Sequence, residues 1–205
     1  MNRGPLPIPG VFFTLILFAN VQIFANATLP LKERKKNFEQ KLKFLNEMKS
    51  KFSDRELNEN ISDLENHSKD VESVFKSGTE KEKKMAISVA ELKTNPALKK
   101  CSEHLQSAAR ELIEYYAFKS SGKSVASVNG HDNPVRDSIE SKEKKARYFA
   151  MAKEELQQAE KFKRDGNLFY SLYLYKRSVR YSLKSIQSSG FPVPAKVEGF
   201  LKLTK

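Results

Sequence analysis

The chain has 205 residues, a formal net charge of +12 at pH 7 and a single cysteine. A length of this order suits one domain, or a helical stalk that ends in a small globular part. One cysteine excludes an internal disulfide, so the fold must depend on its apolar core. Cys101 lies on a predicted apolar stripe, which favours a buried thiol over a reactive or dimer-forming one.

Residues 1–27 have the pattern of a signal peptide. Arg3 precedes a mostly apolar run from 11 to 24, and Ala25-Asn26-Ala27 supplies the small-x-small pattern of a cleavage site. The apolar run is shorter than the ~20 residues that a membrane span requires. We therefore expect cleavage after Ala27 and export, with the periplasm favoured over the extracellular space. An uncleaved anchor is the alternative.

Residues 28–78 predict two amphipathic helices in a hairpin arm. Narrow apolar stripes on otherwise charged helices are typical of a coiled-coil pair. Ser53 and Glu56 form a capping-box pattern at the start of the second helix. Because no Gly or Pro separates the two helices, one long bent helix is an alternative interpretation. The predicted stripes are Leu31, Phe38, Leu42, Leu45 and Phe52, then Leu57, Ile61, Leu64, Val71, Val74 and Phe75.

Residues 79–118 predict a second pair of helices. Thr79 and Glu82 repeat the capping-box pattern. Asn95-Pro96 is expected to end one helix and to begin the next, with Pro96 at its first helical position. The predicted inward residues are Met85, Val89 and Leu92 in the first helix, and Leu98, Cys101, Leu105, Ala108, Leu112 and Tyr116 in the second.

The rest of the chain predicts a loop followed by two more helices. Residues 119–138 are rich in Gly, Ser, Asn and Asp without periodicity, which indicates a flexible loop. Helices are expected at about 139–164 and 168–187, followed by a short terminal segment. Since no segment shows the alternation of a strand, the predicted fold class is all-α, an elongated helical hairpin or coiled-coil arm with a helix-pair head at 139–205.

Residues 152–186 combine small and aromatic residues at the spacing of a two-helix unit. Small residues let the two helices approach closely, aromatic residues fill the space between them, and a glycine forms the turn. The residues concerned are Ala159, Phe162, Gly166, Ser171, Tyr175 and Ser178. On these positions the segment resembles a tetratricopeptide repeat, whose two-helix units stack into curved scaffolds. The resemblance implies a head packed against the earlier helices; Glu155 and Gln158 depart from the family's apolar positions.

A second resemblance concerns RYFAMAKEELQQAEKFKRDGNLFYSLYLYKRSVRYSLKS, residues 147–185. With the signal peptide and the helical stalk, this stretch is similar to flagellar coiling proteins of Leptospira-type spirochaetes. Those proteins sheath a periplasmic flagellar filament and help to set its curvature. The resemblance implies a structural coat protein that binds laterally to a polymer.

The helix at 168–187 has aromatic and cationic residues outside its predicted apolar stripe. A solvated face is one interpretation, and a protein-binding face is the other. Export disfavours nucleic acid as the partner, and tyrosines spread around the helix disfavour a membrane-surface helix. The predicted inward residues are Leu168, Leu172, Tyr175, Val179, Leu183 and Ile186; the predicted protein-contacting residues are Tyr170, Tyr173, Lys176, Arg177, Arg180 and Tyr181.

No set of residues predicts catalysis, a metal site or a cofactor. His67, His104 and His131 do not form a set of His and Cys residues large enough for a metal site, and His104 is expected at a surface or an edge. Phosphate-binding glycine loops and a nucleophile elbow are absent from the sequence. We therefore expect a noncatalytic protein, with an exported hydrolase that uses unpaired carboxylates as a less favoured alternative.

Three basic clusters lie at 32–36, 81–84 and 142–147. Each contains glutamate, so a salt-bridged helix face is the simple interpretation. The functional alternative is attachment to an acidic filament protein, to anionic lipid or to cell wall. The sequence thus predicts a protein partner first and peripheral envelope binding second, and it leaves the oligomeric state open.

Overall fold

A computed structural model describes residues 29–52, 54–126 and 139–204. The predicted signal peptide and residues 127–138 of the predicted loop lie outside the described residues. Within these ranges the chain is all-α and has no β-strand, as the sequence predicts. The elements are α1 (Leu31–Lys49), α2 (Arg55–Ser77), α3 (Glu80–Ala126), α4 (Ile139–Arg164), α5 (Leu168–Ser188) and a terminal 3-10 helix (Ala195–Thr204).

Helices α1 and α2 form an antiparallel hairpin. Lys49, at the end of α1, donates a hydrogen bond to Ser62 Oγ at 2.8 Å. At the opposite end of the pair, Lys35 Nζ lies 5.6 Å from the ring centroid of Phe75. The chain therefore forms two separate helices here, and the alternative of one long bent helix is excluded.

The amino-terminal half of α3 packs against both helices of the hairpin. Arg34 near the start of α1 donates a hydrogen bond to Ser88 Oγ near the start of α3 at 2.9 Å. Phe52, just after the end of α1, stacks on His104 in the middle of α3, so α1 and α3 run in the same direction. The hairpin is thus one side of a three-helix bundle, in which residues predicted as a separate arm are covered by α3.

Side-chain caps fix the start of α2 and of α3. The N-cap of α2 is Asp54, whose Oδ1 accepts a hydrogen bond from Leu57 N–H at 2.9 Å. The predicted cap Ser53 lies outside the described residues. Thr79 and Glu82 form the predicted capping box, with Thr79 N–H donating to Glu82 Oε2 at 2.6 Å and Glu82 N–H to Thr79 Oγ1 at 3.4 Å. These contacts pair N–H groups that the first turn of a helix leaves free.

The helix break predicted at Asn95-Pro96 is wrong, because α3 is a single helix of 47 residues with Pro96 in its interior. Proline in a helix interior removes one hydrogen bond and crowds the preceding turn. Packing on α1 and α2 outweighs that local cost, because both halves of α3 share one continuous buried face. Its residues on either side of the proline are Ile87, Ala90, Thr94, Ala97, Leu98 and Cys101.

The inward stripe predicted from Met85, Val89 and Leu92 is also wrong. These side chains are 64%, 36% and 60% exposed. The opposite face of α3, which includes Ile87 and Ala90, is buried instead. Two apolar stripes run along this part of the helix, and the one with smaller side chains lies against α1 and α2.

Helix α3 also continues into the segment predicted as a loop. Residues 119–126 are helical, although their Ser and Gly content favours a turn. Adding residues to an existing helix requires no new nucleation and gains one hydrogen bond for each residue fixed. A long preceding helix therefore overrides the weak local preference.

Helices α4 and α5 pack on the carboxyl-terminal half of α3. Helix α4 runs antiparallel to α3, since Glu160 pairs with Arg110 and Phe149 packs on Tyr116. In the terminal 3-10 helix, the ring centroid of Phe200 lies 5.3 Å from that of Phe52, next to the α1–α2 connection. These contacts join both ends of the molecule in one hydrophobic core.

Most of the predicted apolar stripes lie in that core. Cys101 is fully buried, as favoured from the sequence, and burial raises the pKa of its thiol to about 12. In the part of the chain that the structure describes, no helix is both long and apolar enough to cross a membrane. Buried stripe residues include Phe38, Leu42, Leu45, Phe52, Leu57, Ile61, Leu64, Val71, Leu98, Leu105, Ala108, Leu112, Tyr116, Leu172, Val179, Leu183 and Ile186.

Candidate protein-interaction surface

A tight connection between α4 and α5 sets the orientation of α5. Gly166 has a φ of +81°, a left-handed conformation that favours glycine. Gly166 N–H donates to Lys163 O at 3.2 Å and Asn167 N–H to Phe162 O at 2.8 Å, the two bonds of a Schellman motif. Asn167 Oδ1 then caps α5 by accepting from Tyr170 N–H at 3.3 Å. Three residues thus end one helix and start the next.

The inner face of α5 packs closely on α4. Ser178 Oγ donates a hydrogen bond to Ala152 O at 2.7 Å, a contact that needs small residues between the two backbones. Burial raises the pKa of the Tyr175 hydroxyl to about 12. Of the residues predicted to pack the two helices, Ala159, Ser171, Tyr175 and Ser178 are fully buried and Phe162 is half-buried.

The six residues predicted to contact a protein lie on the outward side of α5. Tyr170 and Tyr173 are 46% and 40% exposed. Arg177 and Arg180 are exposed, while Lys176 and Tyr181 are half-buried. We call these six residues the α5 surface. The structure brings all six together on one helix face, between α1 on one side and α4 on the other.

The edge of the α5 surface next to α1 is held by aromatic packing. The ring centroid of Tyr173 lies 4.9 Å from that of Phe44 and 5.1 Å from that of Phe169. Lys176 Nζ lies 2.5 Å from Glu47 Oε1 and 5.8 Å from the Phe44 ring centroid. These contacts restrict both side chains before any partner binds.

The opposite edge is held by an ion pair with α4. Arg177 Nη2 lies 2.6 Å from Glu155 Oε1. A hydrogen bond to Tyr181 and the nearby Glu155 carboxylate raise the pKa of Arg177. Tyr181 in turn stacks on Tyr148, with ring centroids 6.3 Å apart. The guanidinium is therefore held from two sides while about half of the Arg177 side chain remains exposed to solvent.

Glu155 is an unusual member of this group, because its side chain is buried. The residue is 8% exposed, and burial raises the pKa of its carboxyl. Oε2 has no hydrogen-bond partner among the described residues. Arg177 therefore compensates the negative charge of the buried Glu155 carboxylate. The same Arg177 side chain is exposed and accessible to a binding partner.

The sequence did not identify Phe44, Glu47 or Glu155 as parts of this surface. Phe44 lies beside the predicted stripe residue Leu45, and the adjacent apolar pair was the available signal. Glu155 stands at a position that is apolar in tetratricopeptide repeats, and this departure was the available signal for a buried carboxylate. For Glu47, the pairing with Lys176 spans 129 residues, and no local pattern predicts it.

Exposed arginines and tyrosines together form the accessible part of the α5 surface. Arg180 is exposed and forms no ion pair within the described ranges. Exposed tyrosines beside arginines can stack on flat groups and donate hydrogen bonds to carboxylates. The arrangement suits an acidic protein surface with a few apolar or aromatic side chains.

Elsewhere the described residues contain no group of three His, Cys, Asp or Glu side chains close enough to bind a metal. His104 Nε2 lies 2.7 Å from Asp54 Oδ2, at the edge position expected from the sequence. His67 Nδ1 lies 3.7 Å from Asp70, and His131 lies outside the described residues. No protein-family model, curated protein or solved structure matches the chain.

Proposed function

We propose that the chain is an exported, noncatalytic scaffold or coat protein that binds another protein through the α5 surface. The observation that carries the proposal is the array of Tyr170, Tyr173 and Arg177 on an exposed helix face, in which the Tyr170 ring also packs on Phe162 with ring centroids 4.6 Å apart. Tyrosine and arginine are enriched among the residues that contribute most to protein–protein binding. Their enrichment fits a protein interface better than an ordinary solvated face.

Two side chains of the α5 surface are already held in place in the free protein. Ordering a free side chain at an interface costs about 0.5–1.5 kcal/mol. Tyr173 is already held by Phe44, and Arg177 by Glu155. Much of that ordering cost is therefore met in the free protein, which leaves more of the contact energy for the partner.

Charge indicates an acidic partner. The chain has a net charge of +12, and Arg177 and Arg180 add cationic groups at the surface itself. Complementary charge steers association and disfavours basic partners. An acidic filament or envelope protein has the required chemistry.

A coat on a periplasmic flagellar filament is the specific form of the proposal. The similarity of residues 147–185 to flagellar coiling proteins supports it, as does the signal-peptide pattern of residues 1–27. The 47 residues of α3 would span about 70 Å if the helix were straight. A helix of that length suits lateral contact along a polymer.

The test uses the α5 residues that carry no ion pair with the core. A photo-cross-linking amino acid is placed at Tyr170 or at Arg180, the protein is irradiated in its native cells, and the attached protein is identified. Purified partner is then titrated with wild-type chain and with Tyr170→Ser/Arg180→Glu. Binding is expected to weaken at least about tenfold in the double variant, with an unchanged circular dichroism spectrum.

Lys69→Glu is the matched control, since Lys69 is exposed on α2 and has no ion pair within the described ranges. This variant should retain the affinity of the wild type. Arg177 is left intact because its loss would leave Glu155 unpaired and affect folding. Equal binding by the double variant and the wild type would refute the α5 surface as the site.

A second candidate function rests on the convergence of two basic clusters. The cluster at 32–36 begins α1 and the cluster at 81–84 begins α3, and Arg34 joins these ends through Ser88. A shallow groove of about 380 Å³ lies beside the first of these clusters, between the start of α1 and the end of α2, and is lined by Lys32, Lys35, Lys36, Glu39, Glu72, Phe75 and Lys76. This basic end is suited to anionic lipid headgroups or cell-wall polymer.

Sedimentation with anionic vesicles tests this alternative. Peripheral binding predicts co-sedimentation at low salt that is lost as the Debye length falls to about 3 Å near 1 M salt. Lys32→Glu/Lys36→Glu should abolish it, and Lys69→Glu should not. Absence of co-sedimentation at low salt would exclude lipid as the acidic surface.

A further inference from the structure

The outer face of the amino-terminal half of α3 carries an apolar stripe that the fold does not use. Met85, Val89 and Leu92 follow one another at helical spacings of four and three. Met85 is 64% and Leu92 60% exposed, and the buried face of the same helix lies on the opposite side at Ile87 and Ala90. Side chains at this spacing form the anchor pattern by which one helix packs on another.

Lysines border the stripe on both sides. At 100° per residue, Lys81 and Lys99 lie on one side of the stripe and Lys93 on the other. All three are exposed, and none forms an ion pair within the described ranges. Glu82, the nearest acidic residue at the amino end, accepts hydrogen bonds from Thr79 and is part of the capping box.

We infer that this stripe is a second protein-docking site, and that its occupant is an acidic amphipathic helix of another protein. Apolar side chains of the occupant would cover Met85, Val89 and Leu92. Carboxylates on the flanks of the occupant would meet Lys81, Lys93 and Lys99, as flanking charges do in helix pairs. The site is separate from the α5 surface, which lies on the carboxyl-terminal half of the molecule.

The same charges disfavour a second copy of this chain as the occupant. Symmetric pairing of two stripes would place the bordering lysines of both copies in one interface, and like charges in contact cost affinity. An occupant with its own complementary charges avoids this repulsion.

The chemistry is tested with synthetic helical peptides about three heptads long. One carries leucine at the a and d positions and glutamate at e and g; a second replaces each glutamate by lysine. Fluorescence anisotropy should show that the full chain binds the acidic peptide and does not bind the basic one. Met85→Gln/Leu92→Gln should weaken binding of the acidic peptide at least about tenfold.

Phe118→Gln is the matched control, because Phe118 is 72% exposed but lies outside the stripe. Glutamine favours helix, so these variants should retain the wild-type circular dichroism spectrum. Equal binding of both peptides, or equal binding of the acidic peptide by wild type and Met85→Gln/Leu92→Gln, would overturn the proposal.

Photo-cross-linking at position 92 in native cells then tests the class of occupant. Attachment to an acidic helical segment of another protein is the expected result. Attachment to a second copy of the chain or to lipid would overturn the assignment. Because position 92 and the α5 positions are labelled separately, failure at one site leaves the result at the other intact.

Discussion

His104 Nε2 lies 2.7 Å from Asp54 Oδ2, which joins the α1–α2 connection to the middle of α3. The other carboxylate oxygen, Oδ1, caps α2 through Leu57 N–H. Lys100 Nζ lies 3.3 Å from Asp54 Oδ2. The His104 ring stacks on the Phe52 ring, with ring centroids 4.9 Å apart. One carboxylate therefore starts a helix and attaches that helix to the centre of the molecule.

Replacing Asp54 separates these two roles. Asp54→Ala removes the cap and the contacts with α3, and should lower the free energy of unfolding by about 1–2 kcal/mol. Asp54→Asn keeps a side-chain oxygen for Leu57 N–H and should lose clearly less. Urea denaturation of both variants measures the difference. Equal losses would mean that the cap contributes nothing, contrary to its geometry.

The pH dependence of stability provides a second test of Asp54. The hydrogen bond from Leu57 N–H, with contributions from His104 and Lys100, lowers the pKa of this carboxyl from 3.8 to about 2. A carboxylate with a lower pKa in the folded state stabilises the fold above its unfolded pKa. This contribution is lost as the pH falls from about 4 to about 2.

Comparison with Asp54→Asn isolates that contribution from those of other acidic groups. The wild type should exceed the variant in stability at about pH 5, and the difference should decrease towards pH 2. Chemical denaturation at both values measures it. A difference that stays constant over this range would show that the charge of Asp54 does not stabilise the fold.

The sequence predicted most helices because their buried residues repeat at steps of three and four. The core stripe from Leu98 to Tyr116 followed from this spacing alone, while the start of α4 followed from the end of the segment rich in Gly, Ser, Asn and Asp that precedes it. Around Pro96 the same method failed, since the decision between a break and a continuous helix depends on contacts with α1 and α2. The wrong prediction of Met85 instead of Ile87 as an inward residue had the same cause. Both stripes are apolar, and only long-range packing distinguishes them.

The candidate surface was predictable in part. A helix with an apolar stripe shows which residues point away from the core, and this identified Tyr170 and Arg180. What those residues contact depends on elements far apart in the chain, as with Lys176 and Glu47. Sequence periodicity carries no information on such pairs, so the fixed geometry of the surface emerged only from the fold.

Replacing glycine by alanine should have opposite effects at Gly166, in the α4–α5 turn, and at Gly122, inside α3. Gly166→Ala places a β-carbon at a φ of +81° and should destabilise the protein by about 1 kcal/mol. Gly122→Ala lies inside α3 with nothing within 4 Å of the new methyl group, and should stabilise by about 0.5–1 kcal/mol. Thermal unfolding of both variants gives the signs. Stabilisation by Gly166→Ala would contradict the left-handed turn.

The Arg34–Glu91 pair allows a test of the junction between α1 and α3. Arg34 is 8% exposed, and its Nε and Nη2 lie 3.1 Å and 2.5 Å from the two oxygens of Glu91. Burial lowers the pKa of nearby Lys41, and Glu91 opposes that shift. Glu91 thus compensates more than one cation at this junction.

Removing both partners of the pair should cost less than the two single losses added together. Glu91→Met leaves the buried guanidinium unpaired, and the expected loss is about 3 kcal/mol. Arg34→Met/Glu91→Met should lose less than the sum of the two single variants, with a coupling of about 1–3 kcal/mol in a double-mutant cycle. The exposed pair Arg55–Glu59, at 2.7 Å, is the control and should give about 0.3–0.5 kcal/mol. Equal coupling at the two pairs would contradict burial as the source of the difference.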